Sequence, residues 1–115
     1  MLKVGMTAST PLCRLDEIPA QGALSVHVDS ATGGFDLILM RDGDGVVAYH
    51  NECPHQGRRL DYAPGRFIVR DQHITCAAHG ATFRSGDGVC VSGPCCGSSL
   101  ATVAVHVSDG LVYAR

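Results

Sequence analysis

Two short clusters, Cys53-Pro-His-Gln-Gly57 and Cys76-Ala-Ala-His-Gly80, constrain this chain more than any other feature. Each sets one thiol and one imidazole one or two residues apart and then closes on glycine, which supplies the backbone freedom of a tight loop. Side chains at that spacing on a tight loop turn the same way, so each cluster presents its Cys and His together. Twenty residues lie between His55 and Cys76. For both clusters to serve one site, the chain must leave the first loop, return, and set the second loop against it.

The flanking sequence shows what kind of scaffold does this. Leu24-Ser-Val-His-Val28 alternates apolar and polar, and Phe35-Asp-Leu-Ile-Leu-Met40 is a nearly continuous apolar run. Val46-Val-Ala-Tyr49 follows Arg41-Asp-Gly-Asp-Gly45, whose Asp-Gly pairs signal a hairpin. Val103, Val105 and Val107 alternate with Ala104, His106 and Ser108, and Asp109-Gly110 then turns the chain into Leu111-Val-Tyr-Ala114. No window of 11 or more residues carries a helical period, apart from one short turn at Leu15-Asp-Glu-Ile18 before Pro19. Fourteen glycines and five prolines in 115 residues fit a chain of many tight turns. The expectation is one all-β, antiparallel domain over 1–115, sandwich- or barrel-like, with a loop-built site inserted at about 51–97.

Composition narrows the function. A net charge of −2 does not fit a nucleic-acid partner, which calls for a basic surface. No apolar run approaches the roughly 20 residues of a membrane span. The first residues, Met1-Leu-Lys-Val-Gly-Met-Thr, lack the apolar core of an export signal, so a cytoplasmic location is expected. Disulfides are rare there, and six cysteines read as metal ligands plus buried thiols. Five of the nine basic residues (Arg58, Arg59, Arg66, Arg70, Arg84) fall within 52–84, against Glu52, Asp61 and Asp71.

Cys53, His55, Cys76 and His79 make a Cys₂His₂ donor set, which zinc can also use. Structural zinc sites usually pair like with like, two cysteines and then two histidines. Here both pairs are mixed. A two-iron cluster needs two cysteines on one iron and two histidines on the other, and two loops that each give one of each meet that need from opposite sides.

Cys-x-His followed by Cys-x₂-His-Gly resembles the Rieske iron–sulfur family. Asn51-Glu-Cys-Pro-His-Gln-Gly57, Ala78-His-Gly-Ala-Thr-Phe83, Gly86-Asp-Gly88 and Ser92-Gly-Pro94 are similar to family segments in the same order. Arg41–Tyr49 and Val105–Tyr113 resemble the flanking hairpins of the small Rieske ferredoxins of ring-hydroxylating dioxygenases, so the likeness runs from about residue 12 to the end. The resemblance implies a Rieske domain with one [2Fe–2S] cluster per chain. Cys53 and Cys76 would hold the inner iron, His55 and His79 the outer iron, and Pro94 would belong to a covering loop. The spacing between the clusters is a few residues longer than usual, which implies a small insertion within 58–72.

The resemblance also implies a role. With four protein ligands in place no site is left for substrate, so the chemistry is one-electron transfer. The implied partners are a flavin-containing, NAD(P)H-dependent ferredoxin reductase and an oxygenase, with Arg58 and Arg59 either at a docking rim or simply solvated. Two other readings are a small subunit of a larger reductase, similar to that of nitrite reductase, and a redox sensor. High-potential relatives carry a disulfide between the cluster loops and a Ser and a Tyr after the second histidine. Here the matching places hold Arg58 and Ala78, then Ala81 and Phe83, which implies a low potential. Cys13 reads as a small buried hydrophobe, Cys95-Cys96 as an unfavourable disulfide pair, and His27, His50, His73 and His106 as sheet residues and not ligands.

Overall fold

A strand with one solvated face alternates, so the unbroken apolar run through Phe35–Met40 requires cover on both sides. The computed structural model, which describes residues 2–5, 10–30, 33–54, 57–77, 80–93 and 97–114, shows that cover. In chain order it contains β1 (Leu2–Gly5), β2 (Cys13–Arg14), a 3₁₀ turn (Leu15–Glu17), β3 (Leu24–Ser30), β4 (Gly33–Asp42), β5 (Gly45–His50), β6 (Ile68–Arg70), β7 (His73–Thr75), β8 (Thr82–Arg84), β9 (Cys90–Ser92), β10 (Thr102–Val103), β11 (Val105–Ser108) and β12 (Leu111–Ala114). The strands form three sheets, ordered β1-β3-β4-β5-β10, β11-β12-β2 and β6-β7-β8-β9.

The five-stranded sheet separates two cores. Leu37 and Leu39 of β4 join Val26, Val28, Ala48 and Val112 on one side, over the β11-β12-β2 sheet. Ile38 and Met40, their neighbours in sequence, join Tyr49, Leu60, Ile74 and Phe83 on the other. The first core, with its two sheets, is the base of the molecule. The second lies beneath a lobe built from the β6-β7-β8-β9 sheet and the two Cys/His loops.

The hairpins expected at the Asp-Gly turns are present, with Asp42 paired to Gly45 and Ser108 to Leu111. The short turn expected at 15–18 is the 3₁₀ turn. The all-β reading holds, with one pair of different sense: β1 runs parallel to β3. The middle of the chain contains more than loops. Three-residue strands β6 to β9 form an antiparallel sheet that carries its own buried side chains, Ile74 and Phe83. Three residues are too few to show a period of two, so the alternation test had nothing to read there. Their hairpin signal is unusual as well. The β6–β7 turn is Asp71-Gln72, with φ of 50° and 62°, in the mirror-image geometry that normally selects Asn-Gly. The turn is held from outside: the Gln72 carbonyl accepts both the amide and the hydroxyl of Ser85, each at 2.9 Å. The segment 58–72, expected to hold an insertion, folds into a tight turn at 62–66 and then β6.

Tyr49 fastens the lobe to the base. Its ring is fully buried and its hydroxyl donates to the Ser85 carbonyl at 2.7 Å. Burial, with the carboxylates of Asp87 and Asp42 adding to it, pushes the phenol up to about 12, so it remains a donor throughout the neutral range. No helix among the described residues is long and apolar enough to cross a membrane.

The Tyr49→Phe variant should lose roughly 1–2 kcal/mol of stability, because the Ser85 carbonyl loses its partner while the ring still fits. Chemical denaturation should show this as a lowered midpoint with an unchanged slope, and an unchanged midpoint would mean that the bond adds nothing.

Candidate metal centre

Both cysteine turns are wired alike. The Cys53 amide donates to the Arg58 carbonyl at 2.7 Å, and the Cys53 carbonyl accepts the Gly57 amide at 2.7 Å. The Cys76 amide donates to the Ala81 carbonyl at 2.7 Å, and the Cys76 carbonyl accepts the Gly80 amide at 2.9 Å. In each turn the fifth residue of the motif is a glycine in the left-handed region, φ 68° at Gly57 and 76° at Gly80, where a side chain would be strained. Two sequences with different Cys-to-His spacing therefore close through the same pair of backbone bonds.

The turns also meet. The Ala77 amide donates to the Leu60 carbonyl at 3.0 Å, and the Cys76 sulfur lies 3.9 Å from the Arg59 carbonyl oxygen. Cys53 and Cys76 are both fully buried and belong to the same apolar core as Leu60. A third segment backs the second turn. At Gly93 a Cβ would stand 2.8 Å from the Ala81 Cα, so only glycine allows this approach. His55, Gln56, Ala78, His79 and Pro94–Cys96 lie outside the described residues, so the ligand roles expected of His55 and His79 rest on the sequence alone.

The described half of the donor set fits a metal cluster. Two soft sulfurs sit in equivalent positions on adjoining turns, shielded from water. Thiolates left unpaired in such surroundings would be costly, and coordination to metal removes that cost. Each histidine of the motif falls between its cysteine and the glycine that closes the same turn.

The first turn is further held by side chains to which the sequence reading gave no bracing part. Asn51 is buried, and its Oδ1 accepts the Leu60 amide at 2.7 Å while its Nδ2 donates to Asp61 Oδ1 at 3.2 Å. Asp61 also accepts the Gly65 amide at 3.1 Å and both Nε and Nη2 of Arg59, at 3.0 and 2.9 Å. Burial alone would raise the Asp61 carboxyl, but the bonds from Arg59, Asn51 and Gly65 hold it below the usual carboxylate range. Arg59 is thus engaged on both sides, by Asp61 and by Asp36 of β4. Arg58 is exposed.

Cys13 and the four remaining described histidines lie on strands, as the sequence reading expected. Cys13 is buried in the base, where burial and, after it, the Glu17 charge push its thiol up to about 11, so it stays protonated. Cys90 is buried with its sulfur 3.3 Å from the Ser92 carbonyl oxygen. His27, His50, His73 and His106 all lie on strands. His50 packs against Phe35 and His106 stacks on Tyr113, with ring centroids 5.2 and 5.3 Å apart. His73 contacts the Asp71 carbonyl at 2.8 Å.

Comparison with known proteins agrees with this geometry. A family model described as the Rieske [2Fe–2S] domain matches residues 8–107. The chain is 31% identical over 96 residues to the oxidoreductase NdmD of Pseudomonas putida; the match covers 82% of this chain but only 15% of that much longer protein. Among solved structures, the ferredoxin of carbazole 1,9a-dioxygenase from Nocardioides aromaticivorans superposes with a TM-score of 0.72 at 24% identity, covering 95% of this chain and 98% of that one. A putative NADPH nitrite reductase small subunit superposes with a TM-score of 0.68 at 22% identity, covering 92% and 96%. At those identities the structures establish the shared fold. The family match supplies the identity: this chain belongs to the Rieske [2Fe–2S] domain family, the family of the [2Fe–2S] cluster.

Proposed function

We propose that the chain is a one-electron carrier of low potential that holds one [2Fe–2S] cluster through Cys53, His55, Cys76 and His79. The observation that carries the reading is the matched wiring of the two cysteine turns around one buried core. The cluster, when bound, accepts and releases a single electron, and with four protein ligands it has no position for substrate. The protein's own part is to hold the sulfurs, keep water away from them, and present the histidine side to a partner. In this reading residues 1–115 act as one unit without catalysis of their own, in the cytoplasm. Electrons arrive from a flavin-containing, NAD(P)H-dependent reductase and pass to an oxygenase. The neighbour described as the ferredoxin of carbazole 1,9a-dioxygenase supports this assignment.

The potential follows from side chains that are present in the structure. Hydrogen bonds to a cluster's sulfurs favour the reduced form. Ala81 and Phe83 are fully buried in the same core as Cys53 and Cys76, and neither has a hydroxyl to donate. A carrier of this kind suits a nicotinamide-driven chain and not a quinol-driven one.

Replacing any one of Cys53, His55, Cys76 or His79 with Ala should abolish the visible colour and the EPR signal of the reduced protein. Purification of the wild type with one zinc and no iron would defeat the assignment. The wild-type potential should lie near the low end of the Rieske range, about −150 mV. Ala81→Ser and Phe83→Tyr should each raise it. A donor worth about 1 kcal/mol corresponds to roughly 40 mV for one electron. A wild-type value well above zero would overturn the argument. For docking, Arg58→Glu should slow electron transfer to the acceptor at low salt and lose that effect at high salt, with the cluster spectrum unchanged. Equal rates at low salt would place the docking surface elsewhere.

A further inference from the structure

The segment between the two cysteine turns hides its acid and shows its bases. From Arg58 to Arg70 there is one carboxylate, Asp61, and its side chain is only 1% exposed and taken up by Arg59. Arg58, Arg66 and Arg70 are exposed, and none of them forms an ion pair with a described residue. The same segment holds two of the three large hydrophobic side chains that stand exposed among the described residues, Tyr62 at 61% and Ile68 at 44%. Single exposed apolar residues are ordinary on a protein surface. Here they are interleaved with unpaired cations.

Alternation places them on one face. Phe67 and Val69 pack inward on the lobe core, so Ile68 and Arg70 stand on the outer face of β6, an edge strand, and Arg66 continues that face. Strand β6 is antiparallel to β7, with Ile68 opposite Thr75, the residue before Cys76. Stepping back from Ile68 to Arg66 therefore follows β7 toward the second cysteine turn. Tyr62 comes two residues after Leu60, whose carbonyl accepts the Ala77 amide beside Cys76. The surface thus borders both turns. It is also fixed in shape: the Tyr62 amide donates to the Arg66 carbonyl at 3.0 Å, the Arg66 amide to the Ala63 carbonyl at 2.8 Å, and the Gly65 amide to Asp61 at 3.1 Å. Side chains mounted on a fixed backbone lose less freedom when a partner covers them. The nearest exposed carboxylate is Asp71, in the turn at the far end of β6.

We propose that Tyr62, Arg66, Ile68 and Arg70 form a docking surface for an acidic, apolar-centred face of the protein that exchanges electrons with this chain. The inference rests on the carrier reading above and adds that the partner lies along β6 as well as over the histidine side. Tyrosine and arginine are the residue types that protein interfaces favour. The two unpaired guanidinium groups attract a surface of opposite charge, which sets the rate of encounter and fades with salt. Tyr62 and Ile68 lose water on contact, and that contribution does not depend on salt. Charged side chains on an edge strand also keep sheets from pairing with one another. A guard of that kind is indifferent to the sign of a partner's charge, and a docking surface is not.

Two haem carriers of opposite surface charge serve as probes: the soluble domain of cytochrome b5, acidic around its haem edge, and cytochrome c, basic there. Stopped-flow mixing follows one electron from the reduced cluster to ferric haem. Arg66→Glu and Arg70→Glu should each slow reduction of the acidic carrier about three- to tenfold at low salt and little at high salt, and should leave the basic carrier as fast or faster. Ile68→Thr and Tyr62→Ser should slow the acidic carrier roughly two- to fivefold at both salt levels. These side chains face solvent, so the cluster spectrum and potential of all four variants should match the wild type. Arg14→Glu, the same charge change on β2 in the base, should alter neither rate. With the oxidised acidic carrier present at low salt, nitration of Tyr62 by tetranitromethane should fall relative to Tyr113. Equal slowing in Arg14→Glu and the β6 variants would reduce the effect to net charge and overturn the proposal, as would full reactivity of Tyr62 in the mixture. Unchanged rates with self-association of Arg66→Glu on gel filtration would show the arginines to be edge guards and would overturn it too. If the wild type purified with zinc and no cluster, the carrier reading would fail, while the nitration footprint would still decide the surface.

Discussion

Two sulfurs held in an apolar interior set the requirements for the rest of the molecule. Cys53 and Cys76 are shielded from water and 23 positions apart in the chain, and as thiolates they tolerate that setting only when metal shares their charge. In the proposed ligand set each sulfur must be held in place for the metal, and the structure does this with backbone bonds. A cysteine amide and carbonyl closed by the residues four and five positions later fix the loop without using a side chain. The side chains of the turn are then free for coordination.

Everything beneath the turns serves to bring them together. Sheet β6-β7-β8-β9 carries the second turn between β7 and β8, so its geometry is that of a hairpin. The first turn continues from β5 and is fastened at Asn51, Arg59 and Asp61. At the far end of the lobe, Tyr49 and Ser85 make a second attachment through a neutral hydrogen bond. The lobe is thus tied to the base at one end by ions and at the other by a phenol. Conditions that disturb one attachment, such as salt or pH, leave the other intact.

The parts of this design that local sequence dictates were legible. The Cys/His spacing marked the two matching turns, the Asp-Gly pairs located two hairpins, and the run Phe35–Met40 marked the central strand. What escaped was non-local or too short. Strands β6 to β9 are three residues each, and the β6–β7 turn uses Asp-Gln where a glycine or asparagine would have announced it. The parallel pairing of β1 has no local signal. Asp36 and Arg59 lie 23 residues apart, and nothing at either position indicates that they meet. His27 likewise reads as one more polar residue of an alternating strand until Asp36 is seen across from it. The ligand roles proposed for His55 and His79 rest on the motif, with the described cysteines and closing glycines on either side of them.

The two-sided burial of β4 has a consequence for how this sequence can change over time. Leu37 and Leu39 belong to one core while Ile38 and Met40 belong to the other, so the strand is read in two interleaved registers. Point substitutions at odd and even positions fall on different cores and can be accommodated independently. A single inserted or deleted residue within this strand would exchange both inventories at once, sending each side chain beyond it to the wrong core. Length variation should therefore collect in the surface turns, while the length of β4 stays fixed.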